Sequence, residues 1–370
     1  VLVRIGDREH RLWLRTSADE ASELLDPFVA LTIIPAMKLG GPLILRGPVS
    51  TDLLAGLDRV QRLWQIWRRD PYQPLFPYAW RVEIEADQVV RAPSAGPGRA
   101  TFFSGGVDSF HTLRTAREGL DRLLYVDRFE MGASADRSNA LSANARAVAD
   151  EAGLDLVRVD GNFKDVFLPY VSWRMYAGLL PGLALLHAPA VGSVLFSSNE
   201  DIGNLGPWAT HPVQEPMFST ASLTIRVEPV WTTRLDKIAG LVTWPFAMRH
   251  LRVCWTSAEN CGCCNKCVRT ILALMALGRE DCAVAFPRSS VPPAEVTNAM
   301  RTEPISVSYF DEIAYRLVED GRLPEYVAAI EAGRIPAPAP VTKAHALAVL
   351  APEPVRRAVR RLRGGPGDPR

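Results

Sequence analysis

Two clusters of residues in this chain have the types and the spacing to do chemistry. The first is Ser104-Gly105-Gly106-Val107-Asp108-Ser109. It follows a short apolar run, Thr101-Phe102-Phe103, and opens a stretch that reads as a helix from Asp108 to Glu118. A phosphate-binding loop needs this layout. Glycines let backbone N–H groups approach an anion without a Cβ in the way. The helix start adds unpaired N–H groups and the positive end of its dipole. Ser104 and Ser109 supply hydroxyl donors. An ionised Asp108 cannot donate to phosphate, so it is expected to orient the loop or to hold Mg²⁺. The Gly-Lys-Ser/Thr ending of the common P-loop is absent, and so is the dinucleotide fingerprint. The bland alternative is a Gly turn with a Ser or Asp helix cap.

The second cluster is made of cysteines. Six in 370 residues are too few for a disulfide scaffold, yet five of them fall between Cys254 and Cys267. Such crowding reads as a metal site in a reducing compartment. Cys261, Cys264 and Cys267 are three apart, with Cys254 upstream. Four thiolates make a closed tetrahedral Zn²⁺ site, which is structural rather than catalytic. Lys266 and Arg269 would offset part of its negative charge. Cys263 is a fifth thiol, either a spare beside the metal or a replacement for one of the four. Buried free cysteines, an iron–sulfur cluster and a redox-active sulfur carrier are the alternatives.

The elements that position these clusters show in the rhythm of the chain. From Arg99 it alternates strand, loop and helix. Strands are expected at Leu123–Val126, Leu156–Val159 and Val194–Ser197, with helices at Asp136–Ala152 and Trp173–His187 between them. That alternation implies a doubly wound α/β fold, a parallel sheet covered on both faces. A strand near Leu223–Val227, a helix at Arg234–Leu241 and terminal helices at Val268–Leu277 and Tyr309–Ala332 follow. Residues 1–91 read as a small α+β domain. In it Thr51 or Asp52 caps a helix whose buried face is Leu53, Leu57, Val60, Trp64 and Trp67. Pro336–Pro340 is a linker, and an Arg-rich tail follows at Val355–Arg363.

Composition narrows the classes. Apolar types at 48% and charged types at 22% fit a folded protein rather than a disordered one. Lys plus Arg number 42 against 41 for Asp plus Glu, a net charge of +1. That balance gives no general drive toward nucleic acid or an anionic membrane. The apolar stretch Leu179–Phe196 is broken by Pro181, His187 and Pro189, so no membrane span is expected. No signal peptide is visible, because Arg4, Asp7, Arg8 and Glu9 interrupt the start. A cytoplasmic enzyme is the expectation.

The hexapeptide Ser104–Ser109 resembles the pyrophosphate-binding loop of the PP-loop ATPases, the adenine nucleotide alpha hydrolases. The resemblance implies a Rossmann-like sheet that binds ATP with Mg²⁺ and cleaves it between the α and β phosphates. Ser104, Gly105, Gly106, Val107, Asp108 and Ser109 would hold the pyrophosphate. The Cys-Gly-x-Cys-x-x-Cys run followed by Arg269, with Cys254 upstream, is similar to the zinc site of the 7-cyano-7-deazaguanine synthase family. Thr233–Lys237 and Ser198-Asn199-Glu200-Asp201 are similar, more weakly, to two further segments of that family. The family's Tyr-Pro-Asp-Cys-Arg segment is missing, and His211-Pro212-Val213-Gln214-Glu215 stands in its region. The likeness covers roughly residues 99–277.

What this implies is an ATP-dependent ligase with domains at 1–91, 99–250 (ATP-binding) and 251–333 (zinc module and helices), then a linker and tail at 334–370. It would adenylate a small carboxylate or amide, 7-deazaguanine-like or other, and transfer nitrogen from an ammonia donor. Asp108, Lys237 and His211 are the expected catalytic residues. Asn199, Asp201, Arg234 and Lys237 join the loop in nucleotide binding. Arg234 and Lys237 share one helix face and could neutralise departing pyrophosphate. His211 is a candidate general base, and Asp201 either holds Mg²⁺ or caps a turn. Trp173, Trp208, Trp231, Trp244 and Trp255 could stack on a purine-like ring or simply pack. A homodimer is compatible with this reading, and nucleic acid is not expected as the main partner. The alternatives are a sulfurtransferase that activates a nucleobase, with Cys263 carrying sulfur, and a nucleotide-binding partner protein without chemistry.

Overall fold

The computed structural model describes residues 1–67, 81–129, 135–170, 177–206, 210–302 and 307–334. Trp173, Trp208, the linker and the Arg-rich tail lie outside the described residues. Among the described residues there are ten strands: β1 Leu2–Ile5, β2 Arg8–Arg11, β3 Leu14–Thr16, β4 Leu43–Ser50, β5 Ile84–Val90, β6 Gly98–Phe102, β7 Arg122–Val126, β8 Asp155–Gly161, β9 Val191–Ser197 and β10 Thr224–Glu228. Six of them form the central sheet, in the order β10-β9-β6-β7-β8-β3. The four pairings from β10 to β8 are parallel, and β3 is antiparallel at the edge. The architecture is therefore α/β with a mostly parallel sheet, as expected.

Strand order places the ligand end. The chain enters at the central strand β6, steps outward to β7 and β8, then returns to β9 and β10 on the other side. The order reverses between β6 and β9. Open α/β sheets of this kind bind ligands at the carboxyl ends of the strands, in the crevice at such a switch point. The Ser104–Ser109 loop follows β6 and Ser198–Asp201 follows β9, so the two meet at that crevice.

Alternation along the strands builds two cores. On β7, Leu123 and Tyr125 join one cluster with Phe103, Phe110 and the helices of the C-terminal half. Leu124 and Val126 point to the other face, where Val194, Phe196, Ile225 and Val227 also lie. Leu12, Ile33, Leu53, Leu57, Val60 and Trp64 belong to this second core, so residues of the N-terminal segment cover one face of the sheet. The segment also supplies β3 to the sheet and holds a separate parallel pair, β4 with β5.

Local physics corrects two expectations. The helix Thr51–Trp67 is capped by Ser50, whose Oγ accepts from the Leu53 amide at 3.2 Å. Thr51 and Asp52 do other work: Thr51 donates to the Val90 carbonyl, and Asp52 accepts from the Ala221 amide. The single helix expected over Tyr309–Ala332 is two, Val307–Glu319 and Pro324–Gly333. Gly321 and Leu323 have positive φ between them, and Pro324 starts the second. No helix among the described residues is long and apolar enough to cross a membrane.

Candidate functional site

The glycine loop is built as its sequence requires. Gly105 has φ +78°, a left-handed conformation that glycine adopts at no steric cost. Its carbonyl accepts from the Arg252 amide at 2.7 Å. Gly106 is the N-cap of the helix Val107–Ala116, and no side chain caps that helix. Ser109 Oγ donates to the Gly106 carbonyl at 2.9 Å and lies 3.4 Å from Ser104 Oγ, so both hydroxyls sit at the helix mouth. Val107 and Phe110 are fully buried and anchor the helix from below.

Behind the loop lies a charge cluster. Asp108 Oδ1 accepts from Lys237 Nζ at 3.0 Å, and Asp108 Oδ2 lies 3.0 Å from Arg234 Nη2. Lys237 is 0% exposed, so its charge is fully committed, and it also donates to the Ser198 carbonyl at 2.6 Å. Burial would raise the Asp108 carboxyl, but Arg234 and Lys237 hold it below its ordinary value. Arg234 and Lys237 do share one helix face, as the spacing predicts, and Thr233 caps their helix by accepting from the Asp236 amide. Both oxygens of Asp108 face cations, so the group ties the start of the loop helix to the helix that carries Arg234 and Lys237.

Tyr309 extends the cluster in a way the sequence did not announce. The Arg234 guanidinium lies 4.8 Å from its ring centroid and that of Arg269 lies 4.3 Å away. Its hydroxyl donates to the Asn199 carbonyl at 3.1 Å. Arg269 was expected beside the cysteines; the helix Asn265–Ala276 instead carries it toward Asp108. Asn199 Oδ1 accepts from Thr210 Oγ1 at 2.6 Å. Asp201 accepts from the Gly203 amide at 2.8 Å and from Asn204 Nδ2 at 2.7 Å, closing a turn. His211 packs edge-on to Trp67 at 5.0 Å, and its Nδ1 accepts from the Val213 amide. Burial lowers its pKa. Thus Ser104–Ser109, Arg234 and Lys237 are brought together, while Asp201 and His211 are engaged in local contacts. Of the tryptophans, Trp244 packs on Phe110 and Phe246, Trp255 lies under Lys266, and Trp231 is 81% exposed.

Glu215 is wholly buried; its Oε1 accepts from the Thr210 amide at 2.5 Å, and burial pushes the group up to about 8 from 4.5. The folded state keeps this proton where the unfolded chain has released it. Its contribution is therefore full below about pH 4.5 and lost as the pH rises through about 8. Glu312, raised to about 7 by burial, acts in the same direction. Glu215→Gln is expected to flatten, but not abolish, the fall in urea midpoint between these pH values. An unchanged slope would count against a buried neutral Glu215.

The cysteines form a candidate metal centre. Their Sγ atoms, from Cys254, Cys261, Cys264 and Cys267, all lie within 4.8 Å of one another. Zn–S bonds of about 2.3 Å in a tetrahedron separate sulfurs by about 3.8 Å. The Cys261–Cys267 and Cys254–Cys264 separations are both 3.9 Å. The donor set therefore fits Zn²⁺. Amides of Cys263 and Cys264 point at Cys261 Sγ, and that of Thr256 at Cys254 Sγ, as donors to thiolates do. Cys263 is exposed and its sulfur stands outside the four, 3.5 Å from Cys261 Sγ. Among the described residues this is the one group of three or more side chains that could hold a metal ion.

The fold and site define an α/β protein with a glycine loop at its switch point and a cysteine cluster able to bind metal. No protein-family model matches the chain, and no curated protein or solved structure does either.

Proposed function

We propose that the protein is an ATP-dependent ligase of the PP-loop type, which forms an adenylate on a small carboxylate or amide and transfers nitrogen to it, releasing AMP and pyrophosphate. One observation carries the reading. The Ser104–Ser109 loop opens a helix at the strand-order switch point, with the Arg234 and Lys237 cations held behind it by Asp108. The loop amides and the two hydroxyls would bind pyrophosphate. The cations act through Asp108, fixing where the loop helix starts. Zn²⁺, if held by the four thiolates, supplies structure and no chemistry, since a closed tetrahedron leaves no open position.

Turnover with candidate acids and ammonia is expected to yield AMP and pyrophosphate in equal amounts. ADP as the product would sink the α–β cleavage. The exposed Cys263 thiol outside the four-sulfur set favours the sulfurtransferase as the second reading. That reading requires activity to vanish in Cys263→Ala, whereas the ligase is expected to be indifferent to it.

A further inference from the structure

We propose that the cysteine centre sets the shape of the glycine loop through a strap formed by residues 250–254, with Arg252 as the positioning residue. The strap is tied at each position. His250 gives its carbonyl to Asn144 Nδ2, 3.0 Å, and its Nδ1 lies 3.0 Å from Asn144 Oδ1. The Leu251 carbonyl accepts from Asn260 Nδ2 at 2.8 Å. The Arg252 amide donates to the Gly105 carbonyl at 2.7 Å, the bond that reaches the loop. The amides of Val253 and Cys254 both donate to Asn260 Oδ1, at 2.9 and 3.2 Å.

Asn260 is the clasp. It is 4% exposed and uses both Nδ2 protons, the second on the Ala285 carbonyl at 2.9 Å. It adjoins Cys261, while the strap ends at Cys254. A metal joining Cys254 to Cys261 closes this segment into a ring and fixes Asn260 in register with the strap. Packing adds to the bond. A Cβ at Gly105 would stand 3.4 Å from Arg252 Cβ and 3.6 Å from Asn144 Nδ2, so the loop lies close over Arg252 and over the asparagine that holds His250. Opening the ring releases Asn260, then the strap, then the Gly105 carbonyl. The linkage is reciprocal: whatever orders the loop must tighten metal binding by the same factor.

Amide hydrogen exchange on the full chain, with one equivalent of zinc and after chelation, tests this. The Arg252 amide, bonded to the Gly105 carbonyl, and the loop amide of Phe110, bonded to the Gly106 carbonyl, are expected to exchange about tenfold faster without metal, while those of β7 and β8 keep their rates, the signature of a local opening. Asn260→Ala leaves all four thiolates in place and is expected to speed the same two amides with zinc still bound. Rates there that ignore both changes, or that rise only together with β7 and β8, would overturn the proposal. Inorganic pyrophosphate separates it from the ligase reading, on which it rests only in part. Pyrophosphate that raises the chelator concentration needed to strip zinc by about tenfold supports both. A zinc-sensitive loop that pyrophosphate does not touch keeps the brace and removes the nucleotide.

Discussion

Asp108→Ala is expected to destabilise the protein by about 3 kcal/mol, the low end of the cost of leaving a buried charge without its partner. The reason is asymmetric. Lys237 has no exposed surface, so once the carboxylate is gone its ammonium keeps, among the described residues, only the Ser198 carbonyl. Arg234, 15% exposed, still has the Tyr309 ring. Asp108 itself is 19% exposed, which lets water reach the vacated space and keeps the penalty from the top of the range.

Lys237→Met should cost less, about 1–2 kcal/mol, because Asp108 retains Arg234 and a methionine fills most of the lysine stem. The double variant is expected to be more stable than the sum of the two losses implies, since neither change then strands a charge. Urea unfolding of the three variants gives the coupling. A loss under 1 kcal/mol for Asp108→Ala, or additive singles, would mean that the cluster is solvated and does not fix the loop. Activity should disappear in Asp108→Ala on the ligase reading, because the loop helix loses the contact that sets its start.

The candidate site was legible where chemistry is local in sequence. The Ser104–Ser109 run carries its own turn, cap position and hydroxyls, so the strand–loop–helix unit could be read directly. The four cysteines and the Arg234–Lys237 face were equally compact. What could not be read are contacts between distant segments. Lys237 meets Asp108 across 129 positions and Tyr309 meets Asn199 across 110; a lone tyrosine is no signal, and Asn199 was expected to bind nucleotide, not to meet Tyr309. Asn260 looked like one polar residue among several before Cys261; only its four bonds to three carbonyl-and-amide partners of the strap and to Ala285 mark it. The same limit explains β3. Three residues carry too little pattern to announce that they edge the main sheet rather than a separate unit. Helix ends were misread for a related reason: Ser, Thr and Asp at positions 50–52 are all good caps, and long-range partners for Thr51 and Asp52 decide which one serves.

Cys264→Ser is expected to lower zinc content below one equivalent and to reduce the melting temperature by about 10 °C. The magnitude follows from mass action. A ligand present at 1,000 times its dissociation constant stabilises the folded state by about 4 kcal/mol, and each kcal/mol is worth about 2–4 °C in a chain portion of this size. The full apparent energy of a zinc-finger peptide, about 10–16 kcal/mol, does not apply. Here the helix after Cys264 also buries Val268, Ile271, Leu272, Leu274 and Met275 in a large core, so the metal is one contribution to its stability among several. Cys264 is the sensitive position because it is the N-cap of that helix and lies 3.9 Å from Cys254 across the cluster. Cys263→Ser, outside the four, should leave zinc and melting temperature unchanged. Metal analysis and thermal melts of the two variants decide it. Zinc lost from Cys263→Ser but kept by Cys264→Ser would redraw the ligand set, and visible absorbance from iron would replace zinc with an iron–sulfur cluster.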